Sequence, residues 1–275
     1  MSSILEKALV SLDKSEDHSH EVAHLLAVVS TWTYSDLVTF EDVLLRPGVG
    51  FDRRPTKVDE FRVTNPALLT DAHGYLVSHE ITANRRLHIL TFRGTEITST
   101  VDLLTDAIVT GHDWNEGEDE AEDVHRGFFL SLDVLWPQIV ESLNKVLDRK
   151  NRQREDRLLI TGHSLGGAIG VLAARRFCDE ESEFGNLKLE GVYTFGQPMV
   201  GEPRFNDNCT FIDRYHRYVY NEDLVPRLPP KTSKGVDYAH LGKSYYHAQP
   251  GGNWSEKKDE AIRCEQDDLL HTFLA

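Results

Sequence analysis

The sequence predicts an α/β protein in which helices flank a mostly parallel central sheet. Short apolar runs that are typical of buried strands, such as residues 158–160 and 218–220, alternate along the chain with longer segments whose apolar residues recur at helical spacing. Strands that alternate with helices favour a parallel sheet, because each crossover returns the chain to the same end of the sheet. The 275 residues, 40% of them hydrophobic, are enough for one large core.

The chain begins with two predicted helices. Their apolar residues recur at helical spacing over residues 4–12 and 22–32, and a polar stretch separates them. No internal repeat or low-complexity linker divides the rest of the chain. We therefore expect a helical extension over residues 1–20 and a single α/β domain over residues 21–275.

The middle of the chain supplies further elements. Apolar runs predict strands at residues 75–78 and 87–92, and the turn residues 84–86 between them favour a hairpin. A helix is predicted from about Pro137 to Leu147, because proline is common in the first turn of a helix. Another core strand is predicted at residues 191–195.

The net charge and the cysteine content indicate which partners, metals and disulfides are not expected for this chain. With a formal net charge of −15, the chain lacks the basic face that phosphate neutralisation requires, so we expect no nucleic-acid partner and no attraction to anionic lipids. Three widely spaced cysteines, without a C-x-x-C pair, predict neither a disulfide framework nor a zinc site. The acidic stretch from Asp113 to Asp123 lacks the ligand spacing of an EF-hand, which favours a solvated loop over a calcium site. We expect neither a metal nor an organic cofactor.

The N-terminal sequence bears on the compartment. It lacks a basic region followed by a continuous apolar segment, so no secretory signal is expected. No apolar run in the sequence is long enough to cross a bilayer. A cytoplasmic protein with reduced thiols is the simplest expectation.

The segment Gly162-His163-Ser164-Leu165-Gly166 carries the strongest chemical signal. It follows the strand predicted at 158–160 and precedes an apolar segment over residues 168–177 that is typical of a buried helix. A G-x-S-x-G sequence in this context is a nucleophile elbow, in which the glycines permit a sharp turn that exposes the serine hydroxyl. This context predicts an α/β-hydrolase with Ser164 as nucleophile. The amide of Leu165 is then one donor of an oxyanion hole.

A serine nucleophile needs a histidine base and a carboxylate that orients it. In α/β-hydrolases the acid and then the histidine follow the serine along the chain. Asp223 comes directly after the strand predicted at 218–220, at the carboxyl end where open α/β sheets build their sites. Three histidines follow it, His240, His247 and His271, and these residues alone leave the base open among them.

Five segments, met in one order along the chain, resemble the class 3 or fungal-lipase-like family of α/β-hydrolases. The resemblance covers about residue 23 to the C-terminus. The five segments are Thr91-Phe92-Arg93-Gly94-Thr95, Val124-His125-Arg126-Gly127-Phe128, Gly162-His163-Ser164-Leu165-Gly166-Gly167-Ala168, Thr194-Phe195-Gly196-Gln197-Pro198-Met199-Val200-Gly201 and Asn221-Glu222-Asp223-Leu224-Val225-Pro226-Arg227-Leu228-Pro229.

The resemblance assigns the remaining site residues. It implies that Asp223 is the acid of the triad and that Thr95 supplies the second oxyanion donor, with a hydroxyl that adds a further hydrogen bond. It also implies His271 as the base, since the family's histidine falls near the C-terminus. The residue before His271 is Leu270, where the family often has aspartate. His247 and His240 remain the alternatives.

Residues 97–109 directly follow Thr95 and match the position of the family's mobile lid. Val101, Leu104 and Ile108 recur there at helical spacing against polar neighbours, which predicts an amphipathic helix. Such a lid would expose its apolar face at a neutral lipid interface, so a transient contact with such an interface is expected. The alternative is a fixed core helix, because further apolar residues broaden the stripe.

The resemblance implies a serine hydrolase that cleaves carboxylic ester bonds, of acylglycerols or other neutral lipids, through an acyl-enzyme. Two alternatives use the same sequence differently. One is an esterase or thioesterase for small soluble or aromatic esters. The other is a noncatalytic regulator that uses the fold as an interaction platform, since a fold does not dictate function.

Overall fold

The computed structural model describes residues 2–14, 18–65, 70–94, 110–115, 122–147, 151, 153–221, 223–229, 232–233, 235–248 and 253–258. The strands within these ranges are β1 (Thr56–Asn65), β2 (Thr70–Thr82), β3 (Arg85–Phe92), β4 (Gly111–Asp113), β5 (Asp123–His125), β6 (Glu155–His163), β7 (Leu187–Phe195), β8 (Tyr215–Tyr220), β9 (Thr232–Ser233), β10 (Val236–Asp237), β11 (Lys243–His247) and β12 (Ser255–Glu256).

Eight of these strands form one sheet in the order β1-β2-β3-β6-β7-β8-β11-β12. The five strands from β3 to β11 in this order pair in parallel, whereas β1, β2 and β12 pair antiparallel at the two edges. The mostly parallel sheet predicted from the sequence is confirmed, and so is the hairpin that joins β2 to β3. Two short ribbons, β4 with β5 and β9 with β10, lie outside the sheet.

The helices of the described residues are α1 (Ile4–Asp13), α2 (His20–Trp32), α3 (Leu37–Leu44), α4 (Arg126–Val146), α5 (Leu165–Asp179) and α6 (Pro203–Asp207). Single 3₁₀ turns occur at Glu181–Phe184, Ile212–Arg214 and Val225–Arg227. Side chains of Ser3, Ser19 and Asp36 cap the first three helices, and each accepts the backbone N–H of the residue three positions later.

The sheet separates two apolar cores. Helices α4 and α5 cover one face, where Leu158 and Ile160 of β6 contact them, and helices α1 to α3 cover the other face, where Leu159 points. This alternation follows from the two-residue period of a strand. Because both faces are covered, the central strands read as continuous apolar runs. Helix α1 adds Leu5 and Ala8 to the second core. The boundary expected at residue 20 stays a prediction.

Helix α4 corrects one prediction. It begins at Arg126 rather than near Pro137, and Pro137 lies inside it. Proline in a helix interior removes one backbone hydrogen bond. The buried residues Phe128, Leu132 and Leu135 precede the proline on the face that packs against the sheet, so burial outweighs that loss.

The sequence did not predict several further elements, of which β1 and α3 are the longest. Strand β1 forms the outer edge beside β2, and the capped helix α3 lies on the face of the sheet that α2 also covers. The predicted lid, residues 97–109, lies outside the described residues, as do residues 116–121 of the acidic stretch. In the part of the chain that the structure describes, no helix is long and apolar enough to cross a membrane.

Candidate active site

Ser164 occupies the turn between β6 and α5 in a strained backbone conformation. Its φ of 55° and ψ of −129° lie in a region that residues other than glycine rarely adopt. The Ser164 amide donates a hydrogen bond of 2.9 Å to the carbonyl of Phe195, the last residue of β7. Such strain persists only where surrounding contacts hold it, so the fold itself presents this side chain at the carboxyl edge of the sheet.

Two glycines make the turn possible by close backbone approach. A Cβ on Gly166 would overlap the carbonyl of Phe92 at the end of β3, and a Cβ on Gly162 would overlap the carbonyl of Gly166. The elbow therefore packs directly against the end of β3 with no room for side chains. This explains why G-x-S-x-G identified the site from sequence.

The amide of Leu165 begins helix α5. The first amides that bond within the turn are those of Gly167 and Ala168, both to the Ser164 carbonyl, at 2.9 and 3.4 Å. Backbone N–H groups that precede the first intrahelical bond point out of the helix end, where the helix dipole is positive. The Leu165 amide thus has the position expected of an oxyanion donor beside Ser164.

The segment that leads into Thr95 passes next to the nucleophile. A Cβ on Gly94 would lie 3.3 Å from Cβ of Ser164 and 2.6 Å from the carbonyl oxygen of His163. Arg93, one residue earlier, is held by a 2.9 Å bond from its amide to the carbonyl of His73. Thr95 itself lies outside the described residues, so its role as the second oxyanion donor stays a prediction.

Tyr34, which follows helix α2, connects both segments. Its hydroxyl lies 2.9 Å from Nδ1 of His163 and accepts a hydrogen bond from the Gly94 amide. Burial raises the pKa of Tyr34 to about 12 and lowers the pKa of His163 below its ordinary value. At neutral pH the phenol is therefore protonated and the imidazole is neutral, so a hydrogen bond between two uncharged groups joins Tyr34 to His163.

Asp223 lies at the same edge of the sheet, after β8. Its amide bonds the carbonyl of Tyr220 at 3.0 Å, and Oδ1 accepts the amide of Val225 at 3.0 Å. Burial raises the pKa of the Asp223 carboxyl, while the Val225 amide opposes that rise. Half-buried and held at its own turn, Asp223 is suited to orient a histidine.

Gly196 stands between the elbow and the carboxylate. It has a φ of 57°, and a Cβ there would lie 2.5 Å from Oδ2 of Asp223 and 3.6 Å from Nε2 of His163. Its predecessor Phe195 holds the Ser164 amide. The Phe195-Gly196 peptide thus separates Ser164 from Asp223 at the carboxyl edge, and any side chain at position 196 would displace the carboxylate.

A family model described as "Lipase (class 3)" matches residues 89–233, more than half of the chain, and this span contains both Ser164 and Asp223. The chain belongs to the class 3 lipase family. The matched span ends before all three candidate histidines.

Curated relatives align with only part of this chain and with only part of their own length. A lipase of Rhizomucor miehei is 34% identical over 45% of this chain and 32% of its own length. The triacylglycerol lipase OBL1 of Arabidopsis thaliana is 36% identical over 42% of this chain and 23% of its own length. The chain thus spans a third or less of the length of these curated relatives. The crystal structure of a lipase from Rhizopus microsporus var. chinensis superimposes with a TM-score of 0.61, at 24% identity, over 86% of this chain and 79% of that one. This likeness shows the α/β-hydrolase fold.

Two of the three candidate bases, His240 and His247, lie within the described residues. Nε2 of His240 lies 2.6 Å from the carbonyl oxygen of Pro226, in the turn after Asp223. His247 ends β11, where its ring packs against Tyr220 and Trp254 with centroid distances of 5.2 and 5.1 Å. Both rings thus take part in packing or turn contacts. His271 lies outside the described residues, so its assignment as the base stays a prediction.

The sequence did not indicate that Tyr34 belongs to the candidate site, nor that Gly196 acts there as a spacer. Tyr34 lies 129 positions from His163 and carries no local motif, so nothing in its neighbourhood marks it. Gly196 belonged to one of the segments that resembled the family, yet only its positive φ and its approach to Asp223 reveal why glycine is required. His163, the residue before the nucleophile, has Tyr34 as its hydrogen-bond partner.

Proposed function

We propose that this protein is a serine hydrolase that cleaves carboxylic ester bonds of acylglycerols or other neutral lipids. The observation that carries the proposal is the strained turn at Ser164, which places a serine hydroxyl beside the first backbone amide of helix α5. The name of the Arabidopsis relative, a triacylglycerol lipase, supports the substrate class.

The reaction would proceed in two acyl-transfer steps. A histidine base, His271 in the proposal, takes the proton of Ser164 as its oxygen attacks the ester carbonyl. The amides of Leu165 and Thr95 stabilise the negative oxygen that develops. The histidine then protonates the leaving alcohol, and water hydrolyses the acyl-serine by the same route. Asp223 orients the histidine and stabilises its charged form.

The proposed partners follow from this chemistry. The substrate is a neutral ester, and a transient contact with a neutral lipid interface is proposed with it. The net charge of −15 argues against a nucleic-acid partner. The reaction needs neither a metal nor an organic cofactor. A cytoplasmic location remains part of the proposal.

Hydrolysis of p-nitrophenyl esters of graded chain length by the parent and by Ser164→Ala tests the function. We expect turnover on medium and long chains that the substitution lowers by orders of magnitude. A sharp preference for short chains would favour a soluble esterase. If the parent unfolds cooperatively but shows no turnover that Ser164→Ala abolishes, the noncatalytic regulator would be favoured.

A further inference from the structure

A cavity of about 480 Å³ opens at the surface on the face of the sheet that α2 covers. This volume falls in the range of small-molecule sites. Its inner surface is mostly apolar. Ala23 and Ala27, one turn apart on α2, form one wall, and their small side chains leave the space that larger residues would fill.

Aromatic rings form the opposite side of the cavity. Phe195 and Tyr218 lie on neighbouring strands with ring centroids 5.3 Å apart, and Trp254 packs edge-on against Tyr218 at 4.9 Å. Tyr218 and Ala23 are buried, so the apolar groups lie deepest. Such a floor accepts a hydrocarbon chain by removing its surface from water.

Hydrogen-bond donors surround the mouth. The remaining lining residues, His20, His24 and Asn253, are all exposed, and each side chain carries an N–H group. None of the eight described residues that line the cavity is acidic, although Asp and Glu outnumber Lys and Arg in the chain by 45 to 30. A mouth with donors and no carboxylate suits a ligand head group that accepts hydrogen bonds.

The cavity adjoins the candidate active site through the sheet. His163, Phe195 and Tyr218 are paired residues on β6, β7 and β8, so their side chains form one row on the same face. The carbonyl of Phe195 holds the amide of Ser164, and the ring of the same residue forms the cavity floor. A ligand in the cavity would therefore lie one strand from the elbow.

We propose that this cavity is a second binding site, separate from the catalytic centre, for a fatty acid whose chain packs on Phe195, Tyr218 and Trp254 and whose carboxylate faces His20 and His24. A fatty acid combines the apolar chain that the floor accepts with the acceptor head group that the mouth accepts. It is also the acid product of the proposed reaction. Binding itself does not rest on the proposed function.

Quenching of tryptophan fluorescence by a fatty acid brominated in mid-chain tests the site, because bromine quenches a ring that it contacts. The Ser164→Ala protein is used so that turnover plays no part. We expect saturable quenching that Trp254→Phe removes although the other three tryptophans remain. Ala27→Phe, which fills the cavity, should weaken binding at least tenfold. Thr31→Phe, an exposed position one turn further along α2, is the matched control and should bind normally.

The head group is tested with the brominated alcohol of the same chain length. His24→Leu should weaken binding of the acid several-fold and leave binding of the alcohol unchanged. Equal effects on acid and alcohol would overturn the carboxylate assignment. Quenching that is absent, or that survives both Trp254→Phe and Ala27→Phe, would overturn the site. Binding without ester hydrolysis by the parent would contradict the proposed function alone, and hydrolysis without binding would contradict the cavity alone.

Discussion

The hydroxyl of Tyr34 lies 2.9 Å from Nδ1 of His163 and also accepts the amide of Gly94. One side chain thus joins the end of β3, which leads into the predicted oxyanion residue, to the residue before the nucleophile. The other ring nitrogen of His163, Nε2, lies near Gly196, on the side where Oδ2 of Asp223 also lies.

Tyr34→Phe should lower kcat by about tenfold and leave KM nearly unchanged, since one hydrogen bond that positions the oxyanion segment is lost. Tyr75→Phe is the matched control, because its hydroxyl bonds the carbonyl of Ser35 at 2.8 Å in the adjoining turn and touches neither Gly94 nor His163 in the bonds described. Steady-state kinetics on a soluble ester give kcat and KM for both variants. Equal losses in the two variants would show that the effect is only structural.

Asp223→Asn should lower turnover by roughly three to four orders of magnitude, because the histidine loses the carboxylate that orients it. Its stability should not fall. Burial raises the pKa of Asp223, so the native state binds more protons than the unfolded state near that pKa, and stability decreases as the pH rises through it. Urea unfolding at pH 7 should give the Asp223→Asn variant a free energy of unfolding at least as large as that of the parent. Near-normal turnover would assign the acid to another residue.

The base can be identified by three single substitutions. We expect His271→Ala to abolish turnover, whereas His240→Ala and His247→Ala should retain most of it, because the rings of His240 and His247 serve turn and packing contacts. Thermal unfolding of each variant checks that the fold is kept. Selective loss of activity in His247→Ala would move the role of base to that residue.

Gly166→Ala should lower the free energy of unfolding by about 1–3 kcal/mol or more, because the added methyl group overlaps the carbonyl of Phe92. Gly170→Ala, one turn later in α5, is the control. A Cβ there would lie 3.4 Å from its nearest neighbour, Ile160, an ordinary contact, so helix propensity should leave stability equal or up to ~1 kcal/mol higher. Urea unfolding with equal losses in both variants would contradict the close approach at the elbow.

The predicted lid over residues 97–109 has a kinetic signature. With a sparingly soluble neutral ester, the rate per enzyme should jump once substrate exceeds its solubility, and Leu104→Asp should reduce that jump. The same substitution should affect a short soluble ester much less. If instead the rate rises smoothly with substrate concentration through the solubility limit, and Leu104→Asp slows hydrolysis of both substrates equally, a fixed core helix and a soluble esterase would be indicated.

Local sequence patterns were enough to predict the features of this protein that depend on residues close together in the chain. The fold class, helices α1 and α2, and the roles predicted for Ser164 and Leu165 all follow from hydrophobic period and from the glycines of one turn, which act within a few residues. Asp223 could be identified from the sequence for the same reason, since it directly follows a predicted strand.

Only the tertiary structure decided which distant residues meet. Helix α4 continues past Pro137 because its apolar face is buried against the sheet. The bond of Tyr34 to a histidine 129 positions away depends on where α2 crosses the sheet. The approach of Gly196 to Asp223 and the cavity between α2 and Trp254 likewise join separate elements. Periodicity records which face of an element is apolar, but it does not record which element covers that face.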